Sequence, residues 1–266
     1  MRYATIALCV LALLACGTSA SAGRIGSEAD PCVAQSLAAY IALGSGGCSV
    51  GSGDNALTLF DFSFNAYPDP ANSNPATVVA TASTINISQP TGVWQAVQFT
   101  SGDFFVGAGD RVVYAISYII DPPPDILPGF DLELFAESPI FPAKATITGI
   151  LCAGGNFNSP LPFPCVPARG ASNPEPIPYI VTVFHNGIPN AIQLQDGVIF
   201  NKPTNYLSVQ LLIDLDAREG GSSQIDGVGT DTLPGPNEII PEPGSIALMG
   251  AGLAGLGLLR WRRRRG

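Results

Sequence analysis

Few side chains in this sequence could carry covalent or acid–base chemistry, and they are scattered. His185 is the single histidine among 266 residues. A Ser-His-Asp arrangement would have to use it, but the run His185-Asn-Gly187 reads as a turn. No Gly-x-x-x-x-Gly-Lys phosphate loop and no His-Glu-x-x-His metalloprotease pattern occurs. Cleaving a glycoside takes only two carboxylates at the right separation, which any acidic chain offers. Asp214 and Asp216 alternate as on a strand, which puts both carboxylates on one face. With Asp226 and Asp231 they form a candidate calcium site of oxygen ligands, against the plainer reading of a solvated strand end. Trp94, Tyr118 and Tyr179 are candidate sugar-stacking platforms, and core packing explains them equally well. The expectation is a non-enzymatic protein with no cofactor.

Cysteine chemistry is more informative. Two of the six cysteines, Cys9 and Cys16, fall within the first 22 residues. The other four, Cys32, Cys48, Cys152 and Cys165, can pair in three ways. Cys32–Cys48 and Cys152–Cys165 are favoured, because each closes a short loop rich in Gly or Pro. Zinc is the alternative, but no Cys-x-x-Cys spacing is present and the histidine is distant. Disulfides imply an oxidising compartment, and the N-terminus agrees. Met1-Arg-Tyr3 is a basic start, Ala4 to Ala15 is apolar, and Ala20-Ser-Ala22 offers small residues for cleavage. Leu13-Leu-Ala-Cys16 also looks like a lipoprotein box. The Ala-Ser-Ala site is the favoured reading.

The C-terminus carries a second address. Pro241-Glu242-Pro243 precedes an apolar, Gly-rich run, and then come Arg260, Arg262, Arg263, Arg264 and Arg265. Ser245 to Trp261 would make a helix roughly 26 Å long, near the short limit for a bilayer core of about 30 Å. The arginines keep that end cytoplasmic by the positive-inside rule, so the body lies across the membrane. This order resembles the PEP-CTERM sorting signal of exported Gram-negative bacterial proteins. The resemblance implies recognition by exosortase, a membrane protease-transpeptidase that cuts near the tripeptide. It also implies export through the Sec machinery and a place at the cell surface or in the extracellular matrix, associated with exopolysaccharide. The opening from Leu37 to Phe64 is similar to that of many proteins in the same family.

Between these addresses lies a strongly acidic body. Residues 23–240 hold six basic and twenty acidic side chains, a net charge of −14. Such a surface repels nucleic acid and anionic headgroups. Asp30-Pro31 and the spacing of Val33, Leu37, Tyr40 and Ile41 predict a helix over 31–43, stopped by Gly44. Strand patterns dominate after it. Phe60, Phe62 and Phe64 alternate, which puts three rings on one face, while Leu57 and Leu59 sit at that strand's opposite parity and hint at a bulge or edge. Strands are expected over 77–88, 93–100, 111–120, 130–136, 144–152, 179–185, 191–200 and 206–216. Residues 156–178, with seven prolines, read as a long loop.

The pattern predicts an all-β chain with one β-sandwich or jelly-roll body, a short N-terminal helix, a signal helix and a C-terminal transmembrane helix. The expected boundaries are 1–22 for the signal peptide, 23–218 for the body, 219–238 for a Gly-rich polar spacer and 239–266 for the sorting signal. Rival readings are a carbohydrate-binding module, an extracellular hydrolase and a permanent inner-membrane anchor.

Overall fold

The computed structural model describes residues 30–51, 56–88, 96–121, 127–137, 139–157, 165–188 and 192–232. The expected signal peptide, Trp94 and the whole sorting tail lie outside them. Among the described residues no helix is long and apolar enough to cross a membrane.

The chain enters through β1 (Gln35–Ser36) and the helix α1 (Leu37–Leu43), then β2 (Cys48–Val50) and β3 (Leu57–Pro68). Four short strands follow: β4 (Val78–Val79), β5 (Asn86–Ser88), β6 (Ala96–Thr100) and β7 (Phe104–Val106). The long strands β8 (Arg111–Asp121), β9 (Leu127–Glu137) and β10 (Lys144–Ala153) lead to a small hairpin, β11 (Gly155–Phe157) with β12 (Cys165–Pro167). The last five are β13 (Tyr179–His185), β14 (Ile192–Gln193), β15 (Gln195–Thr204), β16 (Leu207–Asp216) and β17 (Ser223–Thr232).

Two antiparallel sheets result, as expected for a sandwich. The first runs β14-β13-β10-β16-β8-β3-β2. The second runs β1-β5-β6-β17, and β17 carries it further in two directions. Its start pairs with β7, and its length from Ile225 to Thr232 pairs with β9, which pairs in turn with β15. The alternating apolar residues of β8, β16 and β10 supply the inner face of the first sheet: Tyr114, Ile116, Tyr118, Leu211, Ile213 and Ile147 are all buried. Aromatic rings fill the gap between sheets. Phe62 stacks on Tyr118 with centroids 5.2 Å apart, Tyr40 meets Phe62 edge-on at 5.0 Å, and Phe99 tilts against Tyr118 at 5.8 Å. Each such pair adds about 0.5–1.5 kcal/mol beyond the area it buries. The Tyr118 hydroxyl bonds across the sheets to Thr230 Oγ1 at 2.7 Å.

Four expectations change. The helix starts at Leu37, not Pro31, because Ser36 caps it by accepting from the Ala39 N–H. Pro31 instead forms a bridge with Ser49. The stretch 77–88 is two strands, divided by a turn in which the Thr81 N–H donates to Thr84 Oγ1. In β3, Asp61 takes φ 52° and the pairing with β8 shifts between Phe60 and Ser63. That bulge flips the parity, so Leu57, Leu59 and then Phe62 are buried, while Phe60 leaves the shared face. The fourth concerns the supposed spacer. Ser223–Thr232 is no linker but the strand to which β6, β7 and β9 all bond. Its glycines serve close approach: a Cβ on Gly227 would lie 2.7 Å from the Phe99 carbonyl oxygen, and one on Gly229 would strike the Phe135 ring.

A chain ended at residue 218, the expected limit of the body, will therefore lack a cooperative thermal transition by circular dichroism. A chain ended at residue 232 will keep it. Equal melting of the two would contradict the place of β17 in the fold.

Candidate functional site

Both favoured disulfides are closed, Cys32–Cys48 and Cys152–Cys165, with Cα separations of 4.8 and 5.5 Å. The second one shapes a cleft. β10 ends at Ala153, and Gly154 turns the chain at φ 66° while its N–H donates to the Tyr206 carbonyl. A side chain there would run into Pro174, 2.6 Å from the ideal Cβ. The β11–β12 hairpin then stands beside the outer face of the first sheet, tied to β10 through Cys165.

Opposite the hairpin stands the β3 bulge. A cleft of about 400 Å³ lies between them, floored by β8 and β16. Asp61, Ser117, Asn156, Phe157, Tyr206 and Ser208 line it. Tyr206 spans the two walls. Its ring lies 6.5 Å from that of Phe60, edge-on, and its hydroxyl donates to Asn156 Oδ1 at 2.6 Å. The Ser208 hydroxyl donates to the same oxygen at 3.1 Å. With Oδ1 taken twice, the Asn156 amide is fixed, and its N–H donors have no acceptor among the described residues. Ser117 shares a 2.6 Å bond with Ser63 on the neighbouring strand. Burial pushes the Tyr206 phenol up; the bonds to Asn156 and Ser208 oppose this, and the Asp61 and Asp121 carboxylates add to it.

None of these six lining residues was singled out from the sequence. The parity change at Asp61 was the one available signal, since the two alternating runs meet there. The residues that were singled out go elsewhere. Tyr118 is buried in the core, which rules it out as a sugar platform. Tyr179 packs on Phe200 at 5.2 Å and accepts from the Asn201 N–H. His185 accepts from the Gly187 N–H at Nδ1, 3.0 Å, as the turn reading requires. One pattern not singled out from the sequence, Gly47-Cys-Ser-Val-Gly51, has the spacing of a nucleophile elbow, but Ser49 belongs to β2 and His185 to β13, near opposite edges of the sheet.

The calcium candidates are also placed. Asp214 and Asp216 do share a face, but arginines hold them. Arg111 grips Asp214 with Nε and Nη2 at 2.9 and 2.7 Å, and Arg218 grips Asp216 at 3.0 and 2.7 Å. The Arg218 bonds hold the Asp216 carboxyl below its usual range. Asp226 and Asp231 lie on β17, in the other sheet. No group of three or more His, Cys, Asp or Glu able to hold a metal occurs among the described residues.

Closed disulfides in so acidic a body define the class as an exported protein. Residues 240–265 match the family model of the PEP-CTERM protein-sorting motif. The chain carries that sorting motif, which points to export. No curated protein matches the chain. Among solved structures, one of TmCBM61 in complex with β-1,4-galactotriose aligns at 10% identity, over 64% of this chain and 88% of that one. Its TM-score of 0.27 is too low for the two folds to be compared site by site.

Two carboxylates are perturbed upward, and both stand outside the cleft. On the second sheet Asp231 faces Asp131 directly across β17 and β9. Burial, and then the Asp131 charge, raise the Asp231 carboxyl. Burial, then Asp231 and Asp131, raise Glu133. Raised folded-state values mean that stability falls as pH climbs from the ordinary carboxylate range through those values. Asp231→Asn should thus stabilise the fold at pH 7 by about 0.2–1 kcal/mol, the usual scale of a cross-strand side-chain pair. The gain should vanish below about pH 3.9, where the unfolded aspartate is itself protonated. Denaturant melts at the two pH values check this, and a gain that persisted in acid would refute the charge explanation.

Proposed function

We propose that this protein is a non-enzymatic component of the cell surface or extracellular matrix, exported through the Sec machinery and released from its C-terminal helix by exosortase. The sorting motif at 240–265 carries the reading. Its three parts have separate physical tasks. The apolar run has the composition to enter the bilayer, the arginines would hold its end in the cytoplasm, and the prolines of Pro241-Glu242-Pro243 do not continue a helix. The inner-membrane form is an intermediate in this scheme.

Two observations support binding over catalysis in the body. The carboxylates with raised affinity for protons, Glu133 and Asp231, belong to the second sheet, whereas the cleft opens on the first. A general acid would need to stand within reach of a bound substrate. The sole histidine is committed to its own turn. The cleft favours a second, compatible reading, in which the body is a carbohydrate-binding module that retains exopolysaccharide at the surface.

Mass spectrometry of the mature protein from its host tests the scheme. The expected product has lost Arg260 to Arg265, and replacing Pro241-Glu242-Pro243 by three alanines should leave those arginines in place. Mature wild-type protein with an intact arginine tail would overturn exosortase processing and favour a permanent anchor.

A further inference from the structure

We infer that the cleft between the β3 bulge and the β11–β12 hairpin binds a neutral, hydroxyl-rich saccharide through Asp61, Asn156 and the rings of Phe157 and Tyr206. The inference rests on the reading of the body as an exported binding protein and supplies its ligand class and site.

The polar groups present are complementary to adjacent hydroxyls. Asn156 offers N–H donors, because Tyr206 and Ser208 both occupy its Oδ1. Asp61 offers a carboxylate that accepts from two hydroxyls at once, and it makes no ion pair among the described residues. The backbone at Asp61 supports the assignment. Its φ of 52° lies in the left-handed region that aspartate and asparagine adopt more readily than other non-glycine residues, and it turns the side chain at the bulge. Here it sets the carboxylate on the wall of the cleft. Sugar rings also present apolar C–H faces, and Phe157 and Tyr206 provide aromatic surface beside the polar groups. The volume of about 400 Å³ falls within the usual span of about 300–1,000 Å³ for small-ligand sites.

Charge sets the class. No basic side chain is among the described residues that line the cleft, and the Asp61 and Asp121 carboxylates both act on the Tyr206 phenol. A uronic acid, sulfated sugar or phosphate would meet repulsion with no cation to offset it. The cleft therefore selects against the anionic polysaccharides that a basic surface would gather.

Calorimetric titration of the full exported chain, purified from its host, tests the assignment. The probes are neutral trisaccharides of glucose, galactose and mannose, and a trimer of galacturonic acid. At least one neutral trimer should bind, with the galacturonate trimer at least tenfold weaker. Tyr206→Ala and Asp61→Asn should each weaken binding at least tenfold. Asp61 is exposed, and asparagine tolerates its backbone angle, so D61N should melt with the wild type and serve as the folding control. No heat with any neutral trimer, or unchanged affinity in both variants, would overturn the inference while leaving export and processing intact. Shortening of the trimer during the titration, detected by mass, would keep the ligand class and overturn the non-enzymatic reading.

Discussion

The sandwich is held in register by one buried residue, Tyr118. Its ring stands between Phe62 and Phe99, and its hydroxyl reaches Thr230 in the facing sheet. Burial pushes the phenol far above its ordinary value. The bond to Thr230 fixes how far the sheets slide past each other. Thr230 passes the constraint on by donating to the Val97 carbonyl on β6. The outer face of β8 inherits its position from this contact, because residues on one strand alternate between faces. Ser117 and Ile119, which line the cleft, flank Tyr118 in the chain.

Electrostatics divides the surface unevenly. Arg111 and Arg218 are drawn to one end, where they pair with Asp214, Asp216 and Asp69. Asp110 is buried beside them. Burial alone would raise its carboxyl, but bonds from Thr77 and from the Ser73 and Asn74 amides outweigh this and lower it. These contacts fasten the 69–77 loop onto the start of β8. The cleft and the outer face of β9 are left with carboxylates in excess. On β9 the excess costs stability. In the cleft it excludes anions.

The long strands were legible because their residues obey one rule at a time. β13 lies where its alternation of Val181 and Val183 predicts, and β8 and β16 agree to within a residue at either end. Elsewhere two demands compete. β17 reads as a spacer because Gly227, Gly229 and its polar neighbours obscure the pattern, yet those glycines are what let Phe99 and Phe135 approach. The β3 bulge misleads in another way, since a regular alternation through Phe60, Phe62 and Phe64 spans a backbone that is not regular. The cleft was illegible for a related reason. Its residues come from β3, β8, β11, β16 and the turn that leads into β16, and only the pairing of strands brings them together. The cysteine spacings, by contrast, gave the disulfides directly, because short loops close most readily.

The Cys152–Cys165 bridge has a bearing on when the molecule becomes competent. Without it, only hydrogen bonds and packing hold β12 against β11 and the end of β10, although Asn156 keeps its bonds to Tyr206 and Ser208. In a reducing cytoplasm that bank of the cleft is accordingly held less firmly than in the oxidised chain. Oxidation after export closes the bridge, so that geography separates the looser precursor from the finished fold.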